Sequence, residues 1–105
     1  MPEQGFSVAR VQHRVMGQQI RLQLAPDYVL RLTPAEASSL SFALVAVRTG
    51  ISPEREIYMS PIASDEAFVG SVQEAGMCIA TGDGGITLDW DAVGRLAAAL
   101  ALEVG

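Results

Sequence analysis

Apolar and polar residues alternate with a period of two along the first third of the chain. Apolar groups recur at every second position in residues 20–24 and 28–32, and valines are spaced more loosely before them. Successive side chains of a strand point to opposite faces, so this period predicts strands. Residues 17–19 and the Pro- and Asp-containing segment 25–27 predict the intervening turns. We therefore expect three antiparallel strands before residue 33.

A helix start signal follows these strands directly. Thr33, Pro34 and Glu36 match a capping box with proline at the first helical position, where the Thr and Glu side chains satisfy orphan backbone N–H groups. The pattern predicts a helix over residues 34–48, ended by Gly50. The residues expected to face the sheet are Leu40, Leu44 and Val47, flanked by Ala37 and Phe42.

The middle of the chain gives weaker signals. Residues 52–54 are consistent with a single helical turn, and the alternation over residues 57–62 predicts a short strand that Pro61 confines to a sheet edge. Residues 64–66 resemble a helix cap. They predict a helix over residues 65–75, whose buried stripe comprises Phe68, Val72 and Ala75.

The last third repeats the order of strand, turn, strand and helix. Residues 77–81 and 86–88 predict a hairpin around a glycine-rich turn at 82–85. Asp89 then caps a helix over residues 90–103. The stripe expected to be buried on this helix comprises Val93, Leu96, Leu100 and Val104.

A shift of 56 residues aligns two parts of this pattern without a gap. The windows 20–48 and 76–104 coincide, with the two caps Thr33 and Asp89 at equivalent positions and Leu40 aligned with Leu96. The pattern predicts one α+β domain over residues 1–105, an antiparallel sheet packed against two main helices. Two ββα units forming a pseudo-repeat explain the alignment, and the alternative is chance agreement between two hairpin–helix units rich in Ala and Leu.

Composition bears on assembly and compartment. Half of the 105 residues are apolar and 18% are charged, which excludes a disordered chain. A domain this small hides a limited share of its surface, so we expect a homodimer. No apolar run reaches the roughly 20 residues that span a bilayer, so no membrane is expected as a partner. The single cysteine and a polar start without a signal-peptide pattern predict a cytoplasmic protein.

Residues with catalytic or ligating chemistry are few. His13 has no nucleophile or carboxylate beside it in the sequence, which favours a packed or edge histidine. Cys78 lies between Met77 and Ile79, which favours a buried, unreactive thiol. The aspartates over residues 83–91 fit no EF-hand spacing and are explained by a turn and a helix start. We therefore expect no enzyme activity, no cofactor and no metal.

One constellation of polar side chains remains in the predicted N-terminal sheet. Alternation places them on the face opposite the leucines: Arg10, Gln12, Arg14, Arg21, Gln23 and Arg31. Arginine is suited to bidentate pairing with carboxylate or phosphate. The face is interpreted either as a partner-binding surface or as a solvated one.

The distribution of charge along the chain favours some classes of function over others. Residues 1–48 sum to +2 and residues 49–105 to −7, giving a net charge of −5, which weakens a nucleic-acid interpretation. We expect a small non-enzymatic interaction or regulatory module with a protein partner of unknown identity. An inhibitor from a phage or other mobile element of a bacterium is a special case. The alternative is a nucleic-acid-associated regulator that uses the Arg/Gln-rich face.

Overall fold

The computed structural model describes residues 6–15, 17–26, 28–82 and 84–104, apart from the side chain of His13. Its elements are two helices and seven strands in two antiparallel sheets. In chain order they are β1 (Ser7–His13), β2 (Gly17–Ala25), β3 (Tyr28–Leu32), α1 (Pro34–Arg48), β4 (Glu56–Met59), β5 (Phe68–Gln73), β6 (Gly76–Ala80), β7 (Gly85–Asp89) and α2 (Trp90–Val104).

The N-terminal sheet has the strand order β1-β2-β3, as the alternating pattern predicts. Its first turn lies at residues 14–15, before Gly17 begins β2, and not at residues 17–19 as predicted. Arg10 pairs with Ile20 and Val8 with Leu22, so these four side chains share a face. Asp27, expected in the second turn, lies outside the described residues.

Helix α1 has the predicted bounds and the predicted capping box. The Glu36 backbone N–H donates to Thr33 Oγ1 at 3.1 Å, and the Thr33 N–H donates to Glu36 Oε1 at 2.8 Å. The expected stripe of Ala37, Leu40, Leu44 and Val47 is buried. Phe42 is 79% exposed, so its predicted place beside this stripe is wrong. It lies about 200° around the helix from Leu40, on the solvent side.

The second sheet has the order β4-β5-β6-β7. The strand predicted over residues 57–62 is confirmed as the edge strand β4 only as far as Met59, and Ile62 lies beyond it. Residues 52–54 form no helical turn. The helix predicted over residues 65–75 is wrong, because residues 68–73 form β5. The spacing of four between Phe68 and Val72 suits a helix, but Phe68, Gly70 and Val72 also alternate as in a strand. Pairing with β4 and β6 gives the backbone N–H and C=O groups of β5 their hydrogen-bond partners.

The predicted hairpin and second helix are both confirmed. Strands β6 and β7 pair around a turn in which the Thr81 N–H donates to the Gly84 carbonyl at 2.9 Å, while Asp83 lies outside the described residues. A Cβ on Gly76 would lie 1.9 Å from the Leu88 carbonyl oxygen, so this pairing requires glycine there. On α2, the stripe of Val93, Leu96 and Leu100 is buried, and Val104 is half-buried.

The two helices run antiparallel and join the sheets into one core. At their centre, the Ser41 hydroxyl donates to the Ala97 carbonyl at 2.8 Å. At one end, Arg48 Nε donates to the Trp90 carbonyl at 2.7 Å. Helix α1 packs against β2, β3 and β4, and α2 packs against β1, β2, β6 and β7. The side chains without exposed surface include Ile20, Leu22, Leu30, Leu40, Leu44, Phe68, Ile79, Leu96 and Leu100.

The windows 20–48 and 76–104 each contain a hairpin followed by a helix. Helices α1 and α2 both have 15 residues and begin 56 positions apart. Ser41 and Ala97, which contact each other at the centre of the pair, are also 56 positions apart. This arrangement is compatible with an internal duplication, which remains a prediction.

The molecule is a single α+β domain, as the sequence pattern predicts. Neither α1 nor α2 is long and apolar enough to cross a membrane, and the described ranges contain no other helix.

Candidate functional site

The register between β1 and β2 divides the predicted Arg/Gln-rich face into two groups. Residues with even numbers in β1 pair with residues of even number in β2, so Arg10 shares a face with Ile20 and not with Arg21. The prediction that all six side chains lie on one face is therefore wrong. The turn between the strands ends before Gly17, and a shift of one residue exchanges the two faces of a strand.

The first group lies on the inner face, which we define as the face of the N-terminal sheet that packs against the helices. Arg10 Nε lies 3.6 Å from Glu103 Oε1 near the end of α2. Gln12 pairs with Gln18 and is exposed, and Arg14 is exposed in the turn after β1. Arg10 already has a carboxylate partner on α2, so Arg10 fastens the margin of the sheet to the helix layer.

The second group lies on the opposite surface of the sheet, here called the outer face. Arg21 and Arg31 are directly opposite each other on β2 and β3, and Gln23 pairs with Val29 beside them. Gln23 Nε2 donates to the Pro26 carbonyl at 3.2 Å, at the following turn. The register gives the outer face eight described side chains, of which Gln19 is 2% exposed: Ser7, Ala9, Val11, Gln19, Arg21, Gln23, Val29 and Arg31.

The outer face is positively charged, and within the described part of the chain no carboxylate pairs with its arginines. The ion pairs among the described residues join Arg10 to Glu103 and Arg95 to Asp91, and neither includes Arg21 or Arg31. Arg31 is exposed and Arg21 is half-buried. Like charges directly opposite on neighbouring strands destabilise a sheet, so the fold itself gives no reason for this pair.

Ser64, which the sequence pattern assigns to a helix cap, forms hydrogen bonds with the free edge of β3. The Arg31 backbone N–H donates to Ser64 Oγ at 2.5 Å, and that hydroxyl donates to the Arg31 carbonyl at 3.0 Å. The Tyr28 hydroxyl donates to the Ala67 carbonyl nearby. Burial and, less strongly, the charge of Glu66 raise the pKa of Tyr28. These contacts hold the Arg31 strand in a fixed position.

The other candidate residues are scattered. His13 ends the edge strand β1, and its side chain is outside the described part of the chain. Cys78 is half-buried on β6 and not fully buried as expected. Asp89 Oδ1 accepts the Ala92 N–H at 2.8 Å, the capping role predicted for it. Within residues 6–15, 17–26, 28–82 and 84–104, no three His, Cys, Asp or Glu side chains group to hold a metal ion.

Exposed apolar side chains on α1 and in the loops at its two ends are a further feature that the sequence pattern did not indicate. The Ser52 N–H bonds the Ala46 carbonyl, and the Ile62 N–H bonds Glu36 Oε2, which brings one loop to each end of the helix. We define the α1 patch by four exposed side chains: Phe42, Val45, Ile51 and Ile62. A helical projection places Phe42 on the exposed side, but the approach of the two loops depends on tertiary structure.

Comparison of the chain with protein family models, curated proteins and solved structures found no match. The outer face and the α1 patch are therefore the two surfaces that bear on the function of the protein.

Proposed function

We propose that this protein is a small non-enzymatic interaction module that acts by occupying or regulating a protein partner through its outer face. The observation that carries the proposal is the opposed pair Arg21 and Arg31, which has no carboxylate partner among the described residues. Arginine pairs in a bidentate manner with carboxylates, and a partner that supplies them would remove the repulsion between the two guanidinium groups. A phage-derived inhibitor is one form that such a module takes.

A nucleic-acid-associated regulator would use the same two arginines. The register leaves two arginines on the outer face instead of four, and the chain carries a net charge of −5. Binding to a phosphate backbone depends on several cationic contacts, so this division favours a protein partner.

The assembly and compartment proposals have separate support. The α1 patch exposes 79% of Phe42 and 86% of Ile62, and a second copy of the chain would remove such surface from water. We propose a homodimer on this basis. The lone thiol of Cys78 has no internal disulfide partner, which agrees with a reducing cytoplasm.

The test compares two double variants of equal charge change. Arg21→Gln with Arg31→Gln alters the outer face, whereas Arg14→Gln with Arg55→Gln removes two exposed arginines elsewhere on the molecule. Tagged parent and variant proteins are incubated with lysate of the source organism, and bound proteins are quantified by mass spectrometry. The proposal requires a protein that the parent and the matched control retain and the outer-face variant loses.

Circular dichroism first establishes that both variants fold. Retention of the same proteins by the outer-face variant would overturn the proposal. Loss from both variants would also overturn it, because the binding would then follow net charge and not a surface. Fluorescence anisotropy with a duplex oligonucleotide distinguishes the regulator, for which the outer-face substitutions would abolish a strongly salt-dependent binding to DNA.

A further inference from the structure

The two edges of the N-terminal sheet differ in how they are covered. At β3, the Ser64 hydroxyl accepts the Arg31 backbone N–H and donates to the Arg31 carbonyl, so it fills the place of a residue from a further strand. Strand β1 pairs with β2 on one side, and no hydrogen bond from elsewhere in the described part of the chain reaches its backbone. The other side of β1 is therefore the open edge of this sheet.

Strand β1 also lacks the usual protection of an edge strand. It has seven residues, whereas β4 and β7 at the edges of the second sheet have four and five. It contains neither proline nor lysine, and its residues Ser7, Ala9 and Gln12 are exposed. The charge of Arg10 on the inner face is already paired with Glu103. Short strands, proline and unpaired inward charges normally prevent pairing, so the open edge of β1 remains able to accept a strand.

The bonds of Ser64 establish which backbone groups point out of β1. Since the Arg31 N–H and C=O point away from β2, Arg31 and Arg21 form a non-hydrogen-bonded pair. The N–H and C=O of Arg21 therefore point towards its other register partner, Ala9. Alternation along β1 then directs outwards the backbone groups of three residues: Val8, Arg10 and Gln12. These donors and acceptors form the row to which a strand can add.

We infer that the open edge of β1 binds an extended, acidic segment of a protein partner, which adds a fourth strand to the N-terminal sheet. This inference rests on the proposed function and specifies the shape and chemistry of the partner. An extended backbone matches an unpaired row of donors and acceptors along a strand. A helix offers no such row, because its own N–H and C=O groups bond within the helix.

The charge of the hairpin formed by β1 and β2 favours acidic side chains on the added strand. Residues 6–26 include Arg10, Arg14 and Arg21 and contain no aspartate or glutamate. A residue of the added strand opposite Ala9 shares the outer face and a cross-strand row with Ala9 and Arg21. Because Ala9 is exposed and carries only a methyl group, a glutamate in that position can pair with the Arg21 guanidinium.

The next residue of the added strand points to the inner face, opposite Val8. Val8 is half-buried and packs against the core. An apolar side chain beside Val8 extends that contact and removes further apolar surface from water. The partner segment is therefore expected to alternate acidic and apolar residues, with the period of two that a strand requires.

The experiment uses a peptide of about eight residues in which glutamate and valine alternate, a length within the usual range of strands. One control peptide has the same sequence with a methyl group on each backbone nitrogen, which removes the N–H donors and keeps the side chains. The other control has lysine in place of glutamate. Fluorescence anisotropy with the full chain should show that the acidic peptide binds about tenfold more tightly than either control.

Two variants at one position assign the binding to β1. Gln12→Pro removes a backbone N–H that points out of the sheet, whereas Gln12→Ala keeps that N–H and shortens a side chain that is exposed in the parent. Gln12→Pro should bind the acidic peptide about tenfold more weakly, and Gln12→Ala should bind it like the parent. Circular dichroism establishes that both variants fold.

Amide hydrogen exchange of the parent protein gives a second test that needs no variant. The acidic peptide should slow exchange at the N–H groups of Val8, Arg10 and Gln12 and leave β3 unchanged.

Four outcomes would overturn the inference: no binding of the acidic peptide, equal binding of the acidic peptide and either control, equal affinity of the two Gln12 variants, or unchanged exchange in β1. Its failure is distinguishable from that of the proposed function. Lysate proteins lost only from the variant Arg21→Gln with Arg31→Gln would preserve the proposed function without the added strand.

Discussion

Tyr28 connects the end of the N-terminal sheet to the start of β5 through a single side chain. The residue is 6% exposed, and its hydroxyl donates to the Ala67 carbonyl. Desolvation is the larger cause of its raised pKa, and the negative charge of Glu66 adds to it. The folded protein therefore keeps the phenolic proton at a pH where the unfolded chain releases it.

The stability of the protein should fall in alkaline solution for this reason. The ordinary pKa of a tyrosine is 10.0, and above this pH the unfolded chain loses the Tyr28 proton while the folded protein keeps it. Deprotonation then stabilises the unfolded chain, so the free energy of unfolding decreases from about pH 10 towards the raised pKa of Tyr28. Tyr28→Phe should remove this part of the decline and cost about 1 kcal/mol at neutral pH through the lost hydrogen bond. Urea unfolding between pH 8 and 11 measures both effects.

The matched control is Tyr58→Phe, since Tyr58 is 66% exposed on the edge strand β4. This variant should keep the alkaline decline of the parent. If Tyr28→Phe showed the same decline as the parent, burial of the Tyr28 hydroxyl would have no part in the pH dependence.

At the scale of the elements, the two helices depend on caps of different chemistry. Thr33 Oγ1 accepts the Glu36 N–H at the start of α1, and Asp89 Oδ1 accepts the Ala92 N–H at the start of α2. Thr33→Ala and Asp89→Ala should each lower the free energy of unfolding by about 1 kcal/mol, because each leaves a first-turn N–H without its acceptor. Chemical denaturation measures the two losses.

Thr33→Ser and Asp89→Asn serve as the controls, since both keep an oxygen acceptor at the cap and should unfold near the parent. Equal losses in the two alanine variants would agree with equivalent hairpin–helix units. A loss at one cap and none at the other would contradict that equivalence.

Elements with a local signal were predictable, and the arrangement of the site was not. The capping box at Thr33 sets the start of α1 within the chain itself, and the alternation of apolar residues identifies β2 and β3. The face that Arg10 occupies depends instead on where the β1–β2 turn ends. Period two gives each strand two faces but leaves open which face of one strand meets which face of the next.

Residues 64–73 also adopt a structure that their local sequence pattern does not predict. Ser64 has the sequence context of a helix cap, yet its hydroxyl bonds the backbone of Arg31, 33 positions earlier. The residues around Ser64 contain no pattern that predicts a hydrogen bond to a strand so far away in the sequence. Once β4 and β6 flank residues 68–73, ladder hydrogen bonds outweigh a helical spacing of apolar groups.

At the scale of the whole molecule, the α1 patch predicts self-association. The solvent side of α1 carries no charged residue between Glu36 and Arg48, and exposed Ile51 and Ile62 flank it. Light scattering at micromolar concentration should give twice the monomer mass of 11.1 kDa. Phe42→Ser should shift the protein to the monomer, because it removes the largest apolar side chain of the patch.

Tyr58→Ser controls for general loss of exposed apolar surface and should leave the dimer in place. A parent mass near 11.1 kDa throughout the concentration range would show that the patch is solvated. Dimerisation unaffected by Phe42→Ser would assign the interface to another surface.

The strand order of the two sheets also bears on how quickly the chain reaches its native state. Within each sheet, every strand pairs with its neighbour in the sequence, so each sheet is a meander. Its connections are short turns except for residues 60–67, which join β4 to β5. Short loops cost little closure entropy, and chains dominated by such pairings fold rapidly. The distant partners Ser41 and Ala97 meet only when α1 docks on α2. The slow event of folding is therefore expected to be the meeting of the helices, after which the two meanders share one cooperative transition.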